Sequence, residues 1–426
     1  MSSENLHHTD QDFFLWRDGL AGGEYLHATY LVSTPVDGEQ AALGIAREQS
    51  ICATHINDID MPADIERFCA RVVSVEEVSS PGHDIASLYF LSTPVYGERP
   101  GDVELRQFRI VIAYPSLLFG NSTTRLWNSI FGEVHRLGYL SAAALIDLEL
   151  PPGLAQGFSG PRYGADGIRG RLQVRDRPLF CRSMRPAAGL STDEMVQLNE
   201  RVLEGGFDII KDDELTYDSE RSPFEERVRR MVDMKKAVED RTGEAKLYFA
   251  NVIDDISTGL TLAEKACELG ADGVLLSSAA QGLSFVSEVQ KRTDLILLSH
   301  NSCGDAITRS QLWGASDAVM AKLQRTAGAD LLVSPGPYST AFQDEAINRA
   351  FIDACSDSLG DCAPCLPIIQ GGKQPEFLAE YTADIGSVDY MIVAATWLDN
   401  HPRGIRAGAE AFRIAWDNLG RNEKRA

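Results

Sequence analysis

The stretch Gly205–Thr216, GGFDIIKDDELT, sets Lys211, Asp212, Asp213 and Glu214 directly after the apolar run Phe207-Asp208-Ile209-Ile210. A short apolar run of this kind reads as a buried strand, so the charges stand at its mouth. Two chemistries compete for them. One is a solvated loop in which Lys211 neutralises its acidic neighbours. The other is a cation site. Mg2+ takes oxygen ligands in octahedral array, usually one or two carboxylates with waters and substrate, and Asp213 and Glu214 supply those. Lys211 and Asp213, two residues apart, point to the same side of an extended strand end. There the lysine is either a salt-bridge partner or, having captured CO2 as a neutral amine, a carbamate with a third anionic oxygen. Neighbouring carboxylates favour the ammonium and oppose the carbamate unless a metal locks it in place. Composition alone favours the salt bridge.

The elements that must position these groups are legible as a repeat. Eight short apolar runs occur at LFCRSM, FDIIK, KLYFANV, GVLLSS, DLILLSH, DLLVSP, LPIIQGG and DYMIVAA. Helical stretches lie between them, among them STDEMVQLNERVLEG, SPFEERVRRMVDMKKAVEDRTG and QDEAINRAFIDACSDSL. Ser191 with Glu194 and Ser222 with Glu225 carry the capping-box spacing. Eight strand–helix units over roughly 250 residues predict a closed (β/α)8 TIM barrel. A doubly wound sheet would also alternate, but eight units favour closure. Barrel chemistry sits at the carboxyl ends of the strands. Those ends deliver Arg185, then Lys211 with Asp213 and Glu214, Asn251, Ser277, His300, Ser334, Gly371-Gly372, and finally Ala394-Ala395-Thr396. The glycine pair lets backbone amides approach a phosphate, although such a pair is also an ordinary turn. His300 is open between a substrate or acid–base role and a structural one.

Ahead of the barrel, EYLHATYLVST, ASLYFLSTPV and ELRQFRIVIAYP read as strands and GEQAALGIAREQS as an amphipathic helix, an α+β pattern without repeats. The Gly- and Pro-dense PPGLAQGFSGPRYGADGIRGR marks a junction, giving domains of 1–150 and 151–426. Ser159 in its GFSG lacks the strand before and helix after that a nucleophile elbow needs, and reads as a linker serine. The net charge of −22 argues against nucleic-acid or anionic-membrane partners. An anionic substrate stays open, because a metal or a few amides can reverse the local field. No secretory pattern opens the chain, and the longest apolar run, MIVAATWL, is too short for a bilayer. Eight cysteines, mostly in apolar segments, fit reduced thiols in a cytoplasm. Cys362-Ala-Pro-Cys365 is the one suggestive pair; redox or zinc work is its minority reading.

Taken together, REQS, FGN ending at Asn121, GPRYGADGIR, RPAAGLS, GGFDIIKDDE, TGEAKLYFAN and MAKLQRTAGAD resemble the large subunit of ribulose-bisphosphate carboxylase (RuBisCO), and more closely the RuBisCO-like proteins. The resemblance implies an N-terminal ferredoxin-like α+β domain on the barrel. It also implies a homodimer, alone or in larger assemblies, whose active site is completed across subunits by Asn121. Lys211 matches the carbamylated lysine, and Asp213 and Glu214 match the Mg2+ ligands. Asn251 and His300 match substrate contacts, and Gly371 and Gly372 match half of a phosphate cradle. The family, not the spacing, here reverses the salt-bridge preference for Lys211.

Departures from the family pattern narrow the chemistry. Carboxylases read Lys-Pro-Lys where this chain has Arg185-Pro186-Ala187. Arginine does not release its proton near neutral pH, so the usual enolising base is gone. The lid SPGPYSTAF contains no lysine, and Asn301, Val333 and Gln370 replace residues that grip a second phosphate. Carbon fixation is therefore not expected. Loss of CO2 needs an electron sink and a grip on the carboxylate, and Arg185 can provide the grip. The implied activities are decarboxylation, or transcarboxylation with hydrolysis, of 3-oxo-isoapionate 4-phosphate in apionate breakdown. The alternatives are enolisation or isomerisation of a methylthio-ketose phosphate in methionine salvage, and a non-catalytic regulatory relative.

Overall fold

A computed structural model describes residues 12–20, 24–52, 62, 64–82, 104–310, 312–335 and 345–423. The chain divides into two compact units. The first runs to Phe158 and also takes in Asp305–Leu323 and Ser358–Cys362; the second comprises Ser159–Gly304, Gln324–Asp357 and the chain from Ala363. Three stretches beyond the expected boundary at 150/151, namely 151–158, 305–323 and 358–362, thus group with the first unit.

The first unit carries β1 (Tyr25–Thr34), β2 (Arg71–Pro81), β3 (Arg106–Pro115) and β4 (Ala142–Glu149). Helices Gly38–Glu48 and Thr123–Phe131 follow β1 and β3. The order β4-β1-β3-β2, antiparallel at each pairing, is that of a ferredoxin-like βαββαβ motif. Helix Gly38–Glu48 starts at Asp37, whose side chain accepts from the Glu39 N–H at 2.9 Å, and Gly38 lies so close to the Phe108 ring that a Cβ would meet it at 2.5 Å. The expected strand ASLYFLSTPV lies outside the described residues.

In the second unit, β5 (Leu179–Ser183), β6 (Ile209–Lys211), β7 (Leu247–Asn251), β8 (Gly273–Leu276) and β9 (Ile296–Ser299) follow one another around a barrel. β10 (Trp313–Ala315) belongs to the first unit, pairing parallel with β4. β11 (Leu331–Val333), β12 (Leu366–Ile369) and β13 (Met391–Val393) complete the barrel, which closes through β13 on β5 and β11 on β9. All eight expected runs are its strands. They read as continuous apolar runs because both faces are covered. Alternate residues such as Cys181, Phe249, Leu298, Val333 and Ile368 fill the interior in one buried cluster.

The junction segment holds a helix, Gly164–Leu172, whose Ile168 and Leu172 pack into that cluster. Carboxylates tie down the amino-terminal ends of the strands. Asp208 takes both Arg177 Nη atoms at 2.6 and 2.7 Å, and Asp330 accepts from the N–H groups of Tyr163, Gly164 and Leu297. Ser191 and Glu194 form the expected capping box on helix Thr192–Glu204. Ser222 does not cap helix Phe224–Thr242. Pro223 occupies the cap position, Asp218 Oδ1 accepts from the Phe224 N–H at 2.6 Å, and the buried Ser222 hydroxyl accepts from Thr192 Oγ1. Among the described residues no helix is long and apolar enough to cross a membrane.

Candidate active site

Strand alternation sorts the charges after β6. Lys211 and Asp213 turn towards the barrel mouth, and Asp212 turns outward. Asp212 is buried against Arg227 Nε at 3.1 Å, Tyr248 Oη at 3.2 Å and the Asn251 N–H at 3.1 Å. It is part of the barrel wall.

Lys211 is buried, 2% exposed, so its Nζ must be satisfied by protein or ligand. It donates to Ser183 Oγ at 2.8 Å and to the Asp212 carbonyl at 3.3 Å, and lies 3.7 Å from Glu214 Oε2. Ser183 passes the bond on, donating to Asp213 Oδ2 at 3.1 Å. The same Asp213 oxygen lies 3.7 Å from Arg185 Nε, whose side chain is about half exposed. Glu214 Oε2 is also 3.5 Å from His300 Nε2. His300 Nδ1 accepts from the Ser302 N–H at 3.1 Å, so in the neutral ring the proton sits on Nε2 and faces Glu214.

The loop bearing Glu214 is braced from two sides. Asn251 Nδ2 donates to the carbonyls of Glu214 and Thr216, each at 3.2 Å, and Thr216 Oγ1 donates to the Ala187 carbonyl at 2.9 Å. Contacts therefore join Lys211, Glu214, Asn251 and His300 directly, and Ser183 links Asp213 and Arg185 to Lys211. Ser334 and Gly371-Gly372 stand at the carboxyl ends of β11 and β12, on the same face of the barrel. The Ser334 N–H donates to the Ile368 carbonyl. Gly371 and Gly372 have φ of +79° and +61°, and a Cβ built on either meets nothing within 4 Å, so this turn is left-handed and open on its Cβ side.

Asn121 is exposed in the first unit, in the turn before helix Thr123–Phe131. Ser277 is structural: its Oγ donates to the Ser302 carbonyl and accepts from the Ala280 N–H. The lid SPGPYSTAF lies outside the described residues from residue 336 onward. Cys362 and Cys365 fall in different units, and Cys365 Sγ faces the Cys355 carbonyl at 3.6 Å. Ser183 escaped the sequence reading. Alternation from the inward-facing Cys181 would have found it, since the next inward position of β5 is Ser183. Among the described residues no three His, Cys, Asp or Glu side chains are arranged to hold a metal by themselves.

Residues 164–425 match the family described as ribulose bisphosphate carboxylase large chain, catalytic domain. The chain is 31% identical to a ribulose bisphosphate carboxylase-like protein of Allochromatium vinosum, covering 96% of this chain and 87% of that one. It is 29% identical to a 2,3-diketo-5-methylthiopentyl-1-phosphate enolase of Geobacillus kaustophilus, over 92% and 91% of the two. A crystal structure of a rubisco-like protein from Burkholderia fungorum superposes with a TM-score of 0.82 at 26% identity, over 93% and 94% of the chains. The chain belongs to the ribulose bisphosphate carboxylase large-chain family, and within it to the RuBisCO-like proteins.

Proposed function

We propose that the protein is a Mg2+-dependent enzyme that forms an enediolate from a singly phosphorylated 3-oxo sugar acid of the 3-oxo-isoapionate 4-phosphate class, in apionate breakdown. It does so by decarboxylation or by transcarboxylation with hydrolysis. The observation that carries the reading is the meeting of Lys211, Asp213, Glu214 and His300 at one barrel mouth, with an arginine against Asp213. Asp213 and Glu214 are hard oxygen donors of the kind Mg2+ takes. CO2 captured by the buried Lys211 amine would add a third anionic oxygen to these two carboxylates, replacing a positive charge by a negative one. Mg2+ bound there would act as a Lewis acid on the substrate carbonyl and its neighbouring hydroxyl.

The chain's own residues do the rest. Arg185 holds the substrate carboxylate through its planar fork. The carbon–carbon bond to that carboxylate breaks, its electron pair moves into the adjacent ketone, and CO2 leaves. The proton for the carbon that has lost CO2 passes through His300 Nε2, which regains it from solvent. The amides of Gly371 and Gly372 take the phosphate, with Ser334 beside them. Asn121 completes the site from the second subunit of a homodimer, as the family resemblance implies. Eight free thiols fit a reducing, cytoplasmic setting.

A second reading, enolisation of a methylthio-ketose phosphate, draws support from the name of the Geobacillus kaustophilus relative. It needs a base where this chain has Arg185. The two are separated by incubating the protein with Mg2+ and bicarbonate and offering each substrate. Release of CO2 or glycolate from 3-oxo-isoapionate 4-phosphate is the expected result. Absence of both, with deuterium wash-in from solvent on the methylthio-ketose phosphate, reverses the order.

A further inference from the structure

Directly behind the candidate site, Arg182 is among the largest side chains fully shut away from solvent. Cys181 and Ser183 take the inward positions of β5, so Arg182 points outward, between the strand and its covering helices. Its Nη1 donates to Asn199 Oδ1 at 3.2 Å and lies 3.4 Å from Met184 Sδ. Its Nη2 donates to Asp399 Oδ1 at 2.8 Å and to the main-chain carbonyl of Arg185 at 3.2 Å. Asp399 is the last residue of the short helix Thr396–Asp399, which begins two residues after β13. One guanidinium thus fastens the final barrel loop to the backbone of residue 185.

Burying a guanidinium costs several kcal/mol of desolvation, and apolar residues of similar volume would pack such a space at no loss of stability. A role in packing alone does not account for it. The side chain of Arg185 is 52% exposed, and a long, half-exposed arginine loses rotamer entropy when held in one place. Fixing its backbone removes part of that disorder before substrate arrives.

We infer that Arg182 and Asp399 are positioning residues that hold Arg185 in register with Asp213, and through it set the grip on the substrate's carboxylate. The kinetic consequence rests on the role proposed above for Arg185; the geometric claim does not.

The test uses the full-length protein carrying Asp399→Ala, Asp399→Asn or the paired Arg182→Met/Asp399→Leu, the last removing both charges so that no buried ion is left unpaired. In crystals of Asp399→Ala and of the paired variant, Arg185 Nε is expected to leave the neighbourhood of Asp213. In Asp399→Asn, which keeps Oδ1, it is expected to stay. With 3-oxo-isoapionate 4-phosphate, Asp399→Ala is expected to raise KM about tenfold with kcat little changed, and Asp399→Asn to restore it. In an Arg185→Ala background, Asp399→Ala is expected to add no further rise, because the two act through one contact. Arg185 unmoved in both charge-removing variants, or an undiminished rise in KM without Arg185, overturns the inference. If the wild-type protein leaves the keto acid untouched, the proposed function has failed, and the crystals alone decide the positioning claim.

Discussion

Asp212 and Asp213 carry identical side chains on adjacent residues, and the strand end sends them to different work. Asp212 balances the fully buried Arg227, and the Tyr248 phenol beside it is pushed well above its usual range, first by burial and then by the Asp212 charge. Removing one partner of a buried ion pair costs about 3–5 kcal/mol. Asp212→Asn is therefore expected to lower the urea midpoint strongly. Asp213→Asn is expected to leave that midpoint near wild type while abolishing Mg2+ binding in bicarbonate buffer, followed by calorimetry. Equal destabilisation by both would refute the division. Lys211→Ala is expected to eliminate turnover, whereas Lys211→Glu, which carries its own carboxylate, should retain Mg2+ affinity that no longer depends on bicarbonate. Full activity in Lys211→Ala would dispose of the carbamate. At this scale the Lys-Asp-Asp-Glu run was legible, because charge at the end of an apolar strand is visible in one dimension and alternation fixes which side chains face inward. The inward position of Ser183 was legible by the same alternation, but its partners, and those of Arg182, were not. Lys211, Asp213, Asn199 and Asp399 are brought to them only when the barrel closes.

The loop after β12 shows what an element adds to its residues. Gly371 and Gly372 adopt left-handed backbone with nothing above them, a geometry that costs a residue with a Cβ about 1–2 kcal/mol. Gly371→Ala and Gly372→Ala should each lower stability by about that amount, and more distinctively raise KM for the phosphorylated substrate while sparing a dephosphorylated analogue. An equal effect on both substrates would make the pair a plain turn. The next residue, Lys373, leaves the open side of the loop. It is buried with Nζ 4.9 Å from the centre of the Tyr381 ring, and burial pushes its amine down to about 8 against the opposing pull of Asp384. The unfolded chain, with an ordinary lysine, then holds more protons than the folded one between about pH 8 and 10.4. This residue's contribution to stability rises with pH across that window and is least favourable below it. Lys373→Met should flatten the corresponding slope in thermal midpoints; an unchanged slope would show that the amine is not desolvated. Elements were legible in proportion to their apolar length. All eight barrel runs stood out, and so did β1 and β3. By contrast β2 mixes valines with Glu76 and Glu77, β4 opens on three alanines, and β10 has only three residues. None of these three carries a periodic signal strong enough to separate it from loop or helix.

At the scale of the whole molecule, carboxylates are spent at both ends of the barrel for different ends. Asp208 and Asp330 receive N–H groups at the amino-terminal side and hold strands in place, while Asp213 and Glu214 occupy the carboxyl side, where barrels keep their chemistry. The whole chain carries a net charge of −22, although its site is proposed to take an anion. Beyond contact range that charge repels a phosphorylated keto acid, and only within a few ångströms do Arg185, the glycine amides and a bound cation reverse the field. Salt separates the two regimes. The screening length shrinks from about 30 Å at 0.01 M to about 8 Å at 0.15 M ionic strength, which removes long-range repulsion while leaving close, partly buried contacts nearly intact. At fixed Mg2+ and bicarbonate, kcat/KM for the phosphorylated acid should therefore rise several-fold across that range with kcat flat, and an uncharged substrate analogue should show no trend. A fall with salt would mean that the positive mouth already dominates at capture distance, and that the acidic surface lies too far from the entrance to be felt there.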